Sequence, residues 1–325
     1  MMKDTKDMKD TKKVGLIGLG LMGRGAAKNI LAKGFPLAVL GHRNRAPVGE
    51  LLAQGATEAG SAAELARSSD VVILFVPGSP QVEEQVFGAN GLLAGMHEGL
   101  VVIDCTTADP ESTLKVAQAV SERGGRFMDA PVNRGPKEAE EGRLVVMAGA
   151  DERLLAEMRP ILSTFAEAIF HLGPVGAGHK AKLIHNFLCL GNAAVIAEGI
   201  TTAAKVGVDL HRFAEFAMLS GAASRMFERL IPYVLEGDDK WQQFAIRNAQ
   251  KDLRYYTHMT ESAPTTAFVA EAAHQMLILA ANMGRGDEYV PHLFDVLEEI
   301  NDVEVRVRQR ICPETVSSTK CNGPS

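Results

Sequence analysis

The chain has 325 residues, 46% hydrophobic and 23% charged, which is ordinary for a soluble globular protein of about two domains. Lysine and arginine number 34 against 40 acidic residues, so the net charge of −6 argues against a general nucleic-acid binder. The four cysteines show neither CxxC spacing nor a metal-ligand pattern, which excludes a disulfide scaffold and predicts reduced thiols.

The two ends of the chain have the composition of tails, and we expect tails at 1–12 and 311–325. The first residues repeat Lys, Asp and Thr without the apolar run of a secretory signal. The first apolar run, residues 14–22, is interrupted by glycine and is too short to span a bilayer. We therefore predict a cytoplasmic protein that does not bind membranes.

From residue 14 to about residue 171, short aliphatic runs alternate with helix-like segments. Continuous hydrophobic runs suit parallel strands that helices cover on both faces. The alternation predicts an α/β, doubly wound Rossmann domain over 13–175. The five clearest strand candidates are residues 14–18, 37–40, 71–76, 100–104 and 144–148.

The sequence GlyProValGlyAlaGly at 173–178 marks the predicted domain boundary, because glycine and proline interrupt regular structure. Beyond it strand patterns are almost absent, and residues 179–206 predict one helix long enough to join two domains. We therefore expect an all-α domain over 176–310. Its further helices are predicted near 209–219, 225–236, 241–260, 264–282 and 289–301.

The first predicted strand leads into a turn with the spacing GxGxxG. A tight turn, close approach of backbone to a pyrophosphate and close helix–strand packing each require a residue without Cβ. The helix that follows would offer free N–H groups to phosphate. Between a strand and a helix the motif favours dinucleotide binding over a plain glycine-rich turn. The predicted cofactor contacts in this turn are Gly18, Leu19, Gly20, Leu21, Met22 and Gly23.

The residues after the second predicted strand bear on the choice of cofactor. NAD-binding proteins place an acidic residue about twenty positions after the glycines, where it binds the ribose hydroxyls. Here the chain has His42, Arg43 and Asn44, followed by Arg45. A guanidinium suits a 2′-phosphate, so we predict NADP, with NAD as the alternative. A solvated basic loop is the competing interpretation.

Five motifs follow one another in the order and spacing of the β-hydroxyacid dehydrogenases, a family that the chain resembles over residues 13–302. The family includes 3-hydroxyisobutyrate dehydrogenase, tartronate semialdehyde reductase, sulfolactaldehyde reductase and glyoxylate/succinic semialdehyde reductases. The resemblance implies a Rossmann domain, a long linking helix, and an all-α domain for substrate binding and assembly into homodimers or homotetramers. The motifs are GlyLeuGlyLeuMetGly at 18–23, AspCysThrThr at 104–107, AspAlaProValAsnArgGly at 129–135, GlyAlaGlyHisLysAlaLysLeuIleHisAsn at 176–186 and LysAspLeu at 251–253.

The resemblance also implies roles for individual residues. Lys182 matches the catalytic lysine, which would donate a proton to the substrate oxygen in reduction and remove it in oxidation. Asn186, one helical turn later, would hold the substrate or the lysine, and Thr107 matches a threonine near nicotinamide and substrate. Lys251 and Asp252 match a pair that reaches the cofactor; an exposed helix charge pair is the alternative. The remaining predicted cofactor contacts are Val76 and Pro77.

The predicted substrate loop departs from the family pattern. Where the family usually has SerGlyGly, this chain has Asn133, Arg134 and Gly135. An arginine at the second position resembles the sulfolactaldehyde reductase branch, whose arginine meets a sulfonate. We therefore predict a small substrate with an extra anionic group, bound at these three residues. In the alternative, Arg134 closes a salt bridge with Glu138 or Glu140, and the substrate is 3-hydroxyisobutyrate or glyoxylate/succinic semialdehyde.

Other polar and aromatic residues receive structural interpretations. His179 and His185 flank Lys182 without an acidic neighbour in sequence, so we expect no metal site there, but core or interface histidines. Tyr255 and Tyr256 fall at helical spacing and are expected to pack.

Three other functions are weighed against an NADP-preferring oxidoreductase. The chain is too short for a decarboxylating enzyme like 6-phosphogluconate dehydrogenase. An imine reductase usually lacks the lysine at position 182. A catalytically silent, dehydrogenase-like interaction domain would be expected to lose it as well.

Overall fold

The computed structural model describes residues 11–306. The predicted tail at 311–325, with two of the four cysteines, lies outside the described residues, and so does most of the predicted tail at 1–12. The described strands are β1 Val14–Ile17, β2 Leu37–Leu40, β3 Thr57–Ala59, β4 Val71–Leu74, β5 Val101–Asp104, β6 Arg126–Asp129, β7 Val132–Asn133, β8 Leu144–Gly149 and β9 Ala166–Gly173. The described α-helices are α1 Leu21–Ala32, α2 Ala46–Ala53, α3 Ala62–Ser68, α4 Ser79–Phe87, α5 Pro110–Glu122, α6 Pro136–Glu140, α7 Glu152–Leu162, α8 Ala177–Lys205, α9 Leu210–Met218, α10 Arg225–Glu236, α11 Ile246–Ser262, α12 Phe268–Ala280 and α13 Leu293–Asn301.

The strands form one sheet whose first six members are parallel, in the order β3-β2-β1-β4-β5-β6. Strand β8 pairs antiparallel with β6 and β7 and parallel with β9. The six-strand order is that of dinucleotide-binding domains, in which ligands bind at the carboxyl ends of the strands, where the chain order reverses beside β1. The predicted α/β Rossmann fold is confirmed.

The continuous aliphatic runs of the central strands are buried on both faces of the sheet. Along β4 and β5, Ile73 and Ile103 join one hydrophobic cluster, while Val72 and Val102 join a second cluster on the opposite face. Each of these side chains is fully buried, which stabilises the fold by about 1.5–3 kcal/mol per side chain. This double burial explains why these strands could be recognised as uninterrupted hydrophobic runs.

Strand β9 was not among the predicted strands, because its sequence gives a weak signal. Its burial pattern is irregular, with Phe170 and Leu172 exposed, and it pairs only with β8 among the described strands. It nevertheless positions Glu167, which contacts the predicted substrate loop.

Contacts divide the described chain into two compact units. The first contains residues 11–191 together with Arg247–Leu279, and the second contains Asn192–Ile246 and residues 280–306. Thus the sheet, the first half of α8, nearly all of α11 and most of α12 belong to one unit. The predicted domain limits, 13–175 and 176–310, follow the change from alternating strands and helices to helices alone. They differ from the division by contacts, which places the first half of α8 and most of α11 and α12 with the sheet.

Helix α8 is long and apolar enough to cross a membrane by length and composition alone. Half of its most apolar stretch is buried inside the protein, and core helices of soluble proteins pass the same test.

The second unit has its own buried polar cluster around Asp295. Tyr233 donates a hydrogen bond to Asp295 Oδ2 at 2.7 Å, and His292 Nδ1 lies 2.8 Å from the same oxygen. Asp295 also pairs with Arg285 and Arg306, so its charge is compensated within the described chain. Asp295 in turn raises the pKa of His292.

Candidate active site

The glycines of the predicted dinucleotide turn have different physical roles. Gly18 has φ +102°, and a Cβ there would lie 2.1 Å from the carbonyl oxygen of Phe75. A Cβ on Gly23 would lie 1.9 Å from the carbonyl oxygen of Gly18, whereas a Cβ on Gly20 would meet nothing within 4 Å. Packing therefore requires the first and third glycines, while the second leaves open space at the carboxyl edge of β1.

Helix α1 begins at this open position with its N–H groups available. Gly20 is its N-cap residue, and no described side chain caps the helix. A helix N-terminus without a cap attracts anions, because its first N–H groups point outward and the helix dipole adds positive potential. The turn at residues 18–23 therefore fits the pyrophosphate of a dinucleotide cofactor.

The basic segment after β2 lies at the same edge, since Ile17 and Leu40 are register partners at the ends of β1 and β2. Arg45 forms a two-pronged ion pair with Glu58 of β3, at 2.6 and 2.7 Å. Exposed Arg43, in contrast, makes no hydrogen bond or ion pair with any described residue. Arg43 is thus the arginine of this segment available to a ligand. The other predicted contacts here, His42 and Asn44, are also exposed.

Lys182 lies on α8 and is buried, with 9% of its surface exposed. Its ammonium group makes no hydrogen bond or ion pair with any described residue. Burial lowers the pKa of Lys182; the carboxylate of Asp252 opposes this effect, and the ammonium group of Lys251 adds to it. A buried amine with a lowered pKa can exchange a proton nearer to neutrality than a solvated lysine can.

Two residues of α11 complete a group that we call the lysine cluster: Lys182, Asn186, Lys251 and Asp252. Asn186 donates to Asp252 Oδ2 at 2.6 Å, and both side chains are buried. Lys251 Nζ lies 3.1 Å from Asp252 Oδ1 as an ion pair. The structure therefore brings together four predicted residues from two helices, and Lys251 and Asp252 are not an exposed pair.

Lys251 also connects the cluster to the loops after β4 and β5. Its Nζ donates to the carbonyl oxygens of Pro77, at 2.6 Å, and Thr107, at 3.2 Å. The two loops contact each other as well, since the N–H of Val76 donates to Thr106 Oγ1 at 3.3 Å. The predicted cofactor contacts Val76, Pro77 and Thr107 are thus neighbours of the lysine cluster.

The start of α8 is held by Asp129 at the end of β6. Its two carboxylate oxygens accept from the N–H groups of Gly176 and His179, at 2.6 and 2.7 Å. A Cβ on Gly178 would lie 2.3 Å from the carbonyl oxygen of Met147, so the helix approaches β8 closely. These contacts fix the first turn of α8, and hence the position of Lys182 in the next turn.

His179 is fully buried beside groups that sequence reasoning missed. Its Nδ1 lies 2.7 Å from Thr113 Oγ1, and its Nε2 lies 3.9 Å from Asp104 Oδ2. Burial raises the pKa of Asp104. The absence of an acidic residue near His179 in sequence was therefore misleading, because acidic residues reach it from the ends of β5 and β6.

The predicted substrate loop holds Arg134 in a left-handed conformation, with φ +86°. Its guanidinium donates to the carbonyl oxygen of Arg143 at 3.1 Å and pairs with Glu167 at 2.5 Å. The alternative salt-bridge partners named from the sequence are wrong. Glu138 accepts instead from the N–H of Gly135 at 3.1 Å, and Glu140 pairs with Lys28 at 2.7 Å. Asn133, the third predicted contact, is half-buried in β7.

Comparisons with known proteins identify the family. A sequence profile described as the NAD binding domain of 6-phosphogluconate dehydrogenase matches residues 13–173. A second, described as the NAD-binding domain of NADP-dependent 3-hydroxyisobutyrate dehydrogenase, matches residues 176–296.

Individual relatives agree with the profiles. The chain is 31% identical to 2-(hydroxymethyl)glutarate dehydrogenase of Eubacterium barkeri over 299 residues, covering 92% of this chain and 99% of that protein. It is 34% identical to 2-hydroxy-3-oxopropionate reductase of Escherichia coli over 217 residues, covering 66% of this chain and 73% of the other. Its fold matches that of 3-hydroxyisobutyrate dehydrogenase from Mycobacterium tuberculosis with a TM-score of 0.80, at 23% identity, over 89% of this chain and 99% of that one. The chain therefore belongs to the β-hydroxyacid dehydrogenase family of NAD(P)-dependent oxidoreductases, which act on small hydroxy acids.

Proposed function

We propose that this enzyme prefers NADP and interconverts a small β-hydroxy acid and its semialdehyde, with Lys182 exchanging the substrate proton. The observation that carries the proposal is the ammonium group of Lys182, a residue with 9% of its surface exposed, which makes no hydrogen bond or ion pair with any described residue. It belongs to the same compact unit as the glycine turn at residues 18–23. A largely buried cation without a fixed partner is suited to stabilise charge that develops on a substrate oxygen.

The chain's own residues supply the proton chemistry. The bound nicotinamide cofactor would supply or accept the hydride at the carbon that carries the oxygen. In reduction, Lys182 donates its proton to that oxygen as negative charge forms there. In oxidation the neutral amine removes the hydroxyl proton, and burial favours the neutral form. Asn186 uses one amide N–H on Asp252 and keeps its second N–H and its carbonyl oxygen for substrate or lysine.

The preference for NADP is supported by the contrast between Arg43 and Arg45. Glu58 neutralises Arg45 through two hydrogen bonds, while Arg43 has no described partner and follows β2 at the cofactor edge. A 2′-phosphate would give Arg43 a charge-assisted partner, which the bare ribose of NAD does not provide.

We also propose that the substrate bears an anionic group that Arg134 can reach. Supporting this, Arg134 is held at φ +86°, where the family pattern has glycine; this conformation costs a non-glycine residue about 1–2 kcal/mol. A substrate anion would have to compete with Glu167, which is partly exposed. If Glu167 is the permanent partner, Arg134 is structural, and 3-hydroxyisobutyrate or glyoxylate/succinic semialdehyde become the favoured substrates.

A steady-state screen tests these proposals. We would assay C3–C5 aldehyde acids and hydroxy acids, including sulfonated and dicarboxylic members, with NADPH and NADH. We expect turnover of at least one anionic semialdehyde, with a higher kcat/KM for NADPH. Faster turnover with NADH would contradict the cofactor preference. Cofactor binding without turnover of any compound would favour the silent interaction domain. Homodimer or homotetramer formation and cytoplasmic location stay predictions.

A further inference from the structure

One face of α11 carries a row of polar side chains, which we call the α11 polar face: Lys251, Tyr255, His258 and Ser262. Spacings of four, three and four residues place them on one side of an α-helix. Each contacts the segments that follow β4 and β5, residues 76–79 and 106–111. These two segments contain Val76, Pro77 and Thr107, which are predicted cofactor contacts.

Tyr255 is the second member of this face and holds the start of α4. Its side chain is buried, and its hydroxyl oxygen accepts a hydrogen bond from the N–H of Ser79 at 3.2 Å. A Cβ on Gly78 would lie 2.9 Å from that hydroxyl oxygen and 3.2 Å from Cδ of Lys251. The α11 polar face therefore lies against the backbone of this segment. The expectation that Tyr255 only packs is incomplete, because its hydroxyl satisfies a helix N-terminus.

His258 holds the segment after β5 through Asp109. Its Nδ1 lies 2.6 Å from Asp109 Oδ2. The other carboxylate oxygen of Asp109 accepts from the N–H of Glu111 at 3.0 Å and caps α5. The N–H of Asp109 donates to Ser79 Oγ at 2.7 Å, which joins the two segments. Ser262 adds a further contact to Glu111.

Helices α1, α4 and α5 all begin at the carboxyl edge of the sheet, but the N–H groups at their starts differ in their hydrogen-bond partners. Asp109 caps α5, and Tyr255 occupies the first N–H group of α4. Helix α1 has no side-chain cap among the described residues. Tyr255 and Asp109, which His258 contacts, thus each accept from an N–H group at the start of α4 and α5, whereas the start of α1 stays available to an anion.

We propose that Tyr255 and His258 are positioning residues of the reaction, which fix the segments after β4 and β5 and so hold the predicted cofactor contacts Pro77 and Thr107 in place. The inference rests on the proposed function, because it assigns the cofactor to this edge. Neither side chain exchanges a proton or a hydride with the substrate. They act through hydrogen bonds that keep a preformed site in place, and misplacement of a positioned group by about 1 Å can cost about 100-fold in rate.

Conservative variants separate positioning from packing. Tyr255→Phe removes only the hydroxyl group, and Tyr256→Phe is its matched control, since Tyr256 stacks on Phe187 with ring centroids 4.5 Å apart. His258→Gln and Asp109→Asn change the two partners of one contact. Asn at position 109 keeps an oxygen that can cap α5, but it removes the negative charge that faces His258. His211→Gln is the control for the histidine, because His211 is an exposed residue of α9. For each variant we would measure NADPH affinity, kcat, KM for the substrate, and the unfolding temperature.

We expect Tyr255→Phe, His258→Gln and Asp109→Asn each to weaken NADPH binding by about 5- to 20-fold, as for one lost hydrogen bond with a buried or charged group. The double variant of His258 and Asp109 should weaken binding no more than either single variant, because one contact is lost in all three. The two control variants should stay within about two-fold.

Two results would overturn the inference. One is wild-type NADPH affinity and kcat in all three variants, even with a lower unfolding temperature, which would show a merely stabilising role. The other is independent, multiplying effects of His258→Gln and Asp109→Asn. A wild-type protein that neither binds NADPH nor turns over any hydroxy acid would instead refute the proposed function.

Discussion

The glycine turn at residues 18–23 and the lysine cluster belong to the same compact unit, yet they are built from different kinds of contact. The turn consists of consecutive residues whose backbone geometry forbids side chains at Gly18 and Gly23. The lysine cluster consists of side chains from two helices, and its central contact joins Asn186 to Asp252. Local sterics therefore shape the cofactor end of the site, whereas tertiary packing shapes the end where chemistry occurs.

Removing the amine of Lys182 should have the largest effect on turnover. It should also distinguish the lysine cluster from the cofactor end of the site, because NADPH binding should not depend on it. Lys182→Ala is expected to reduce turnover by about 10²–10⁴, the usual contribution of a general acid or base. NADPH affinity should hardly change, because the turn does not depend on this side chain. Single-turnover kinetics and a binding titration would measure the two quantities. Exposed Lys180, two residues earlier, provides the control variant Lys180→Ala. Near-normal turnover of Lys182→Ala would refute the mechanism.

Arg43→Ala should affect the cofactor end alone. Loss of a charge-assisted contact is expected to weaken NADPH binding by about 1.5–3 kcal/mol, roughly 10- to 100-fold, while NADH binding stays nearly constant. Arg45→Ala is the matched control, because that guanidinium is already paired with Glu58. Titration of each variant with both cofactors gives the comparison. Equal weakening of NADPH and NADH in Arg43→Ala would show that the residue does not bind the 2′-phosphate.

The same contrast explains what could be predicted from sequence. Strands β1, β2, β4 and β5 were predictable, like the glycine turn, because buried strands and forbidden Cβ positions leave a mark on consecutive residues. Strand β3 was not predicted, because Thr57 and Glu58 are exposed and the strand lacks a buried hydrophobic run. Lys182 and Asn186 could be paired because four residues make one helical turn. The contact of Asn186 with Asp252, and that of Arg134 with Glu167, depend on packing between elements distant in the chain. No local pattern records such contacts, and only the family resemblance suggested Asp252.

Variants of Arg134 and Glu167 test the substrate end of the site, because they should change KM for an anionic substrate in opposite directions. If Arg134 binds the substrate anion, Arg134→Ala should raise KM for an anionic semialdehyde by about ten-fold or more, while a neutral aldehyde is almost unaffected. Glu167→Gln should lower KM for the same anionic substrate, because it removes the carboxylate that competes for the guanidinium. Steady-state kinetics on both substrates measures the difference. Equal losses on the two substrates would identify Arg134 as structural.

The pH dependence of oxidation should show the smallest effect and reports on the electrostatics within the lysine cluster. Oxidation needs the neutral amine of Lys182, so its rate should rise with pH to a plateau above the pKa of that lysine, which burial lowers. The Asp252 carboxylate raises this pKa and the Lys251 ammonium group lowers it. Asp252→Asn should therefore move the rise to lower pH, and Lys251→Gln should move it to higher pH.

Positions 251 and 252 are neighbours in the chain, yet their variants should shift the pH profile in opposite directions. A general loss of structure could not produce such opposite shifts. The experiment is a kcat–pH profile at saturating cofactor and hydroxy acid, with Lys180→Ala as a variant that should shift neither way. In the reduction direction the protonated amine is required, so the same variants should move the high-pH decline in the same directions. Shifts of the same sign in Asp252→Asn and Lys251→Gln would mean that the titrating group is not Lys182.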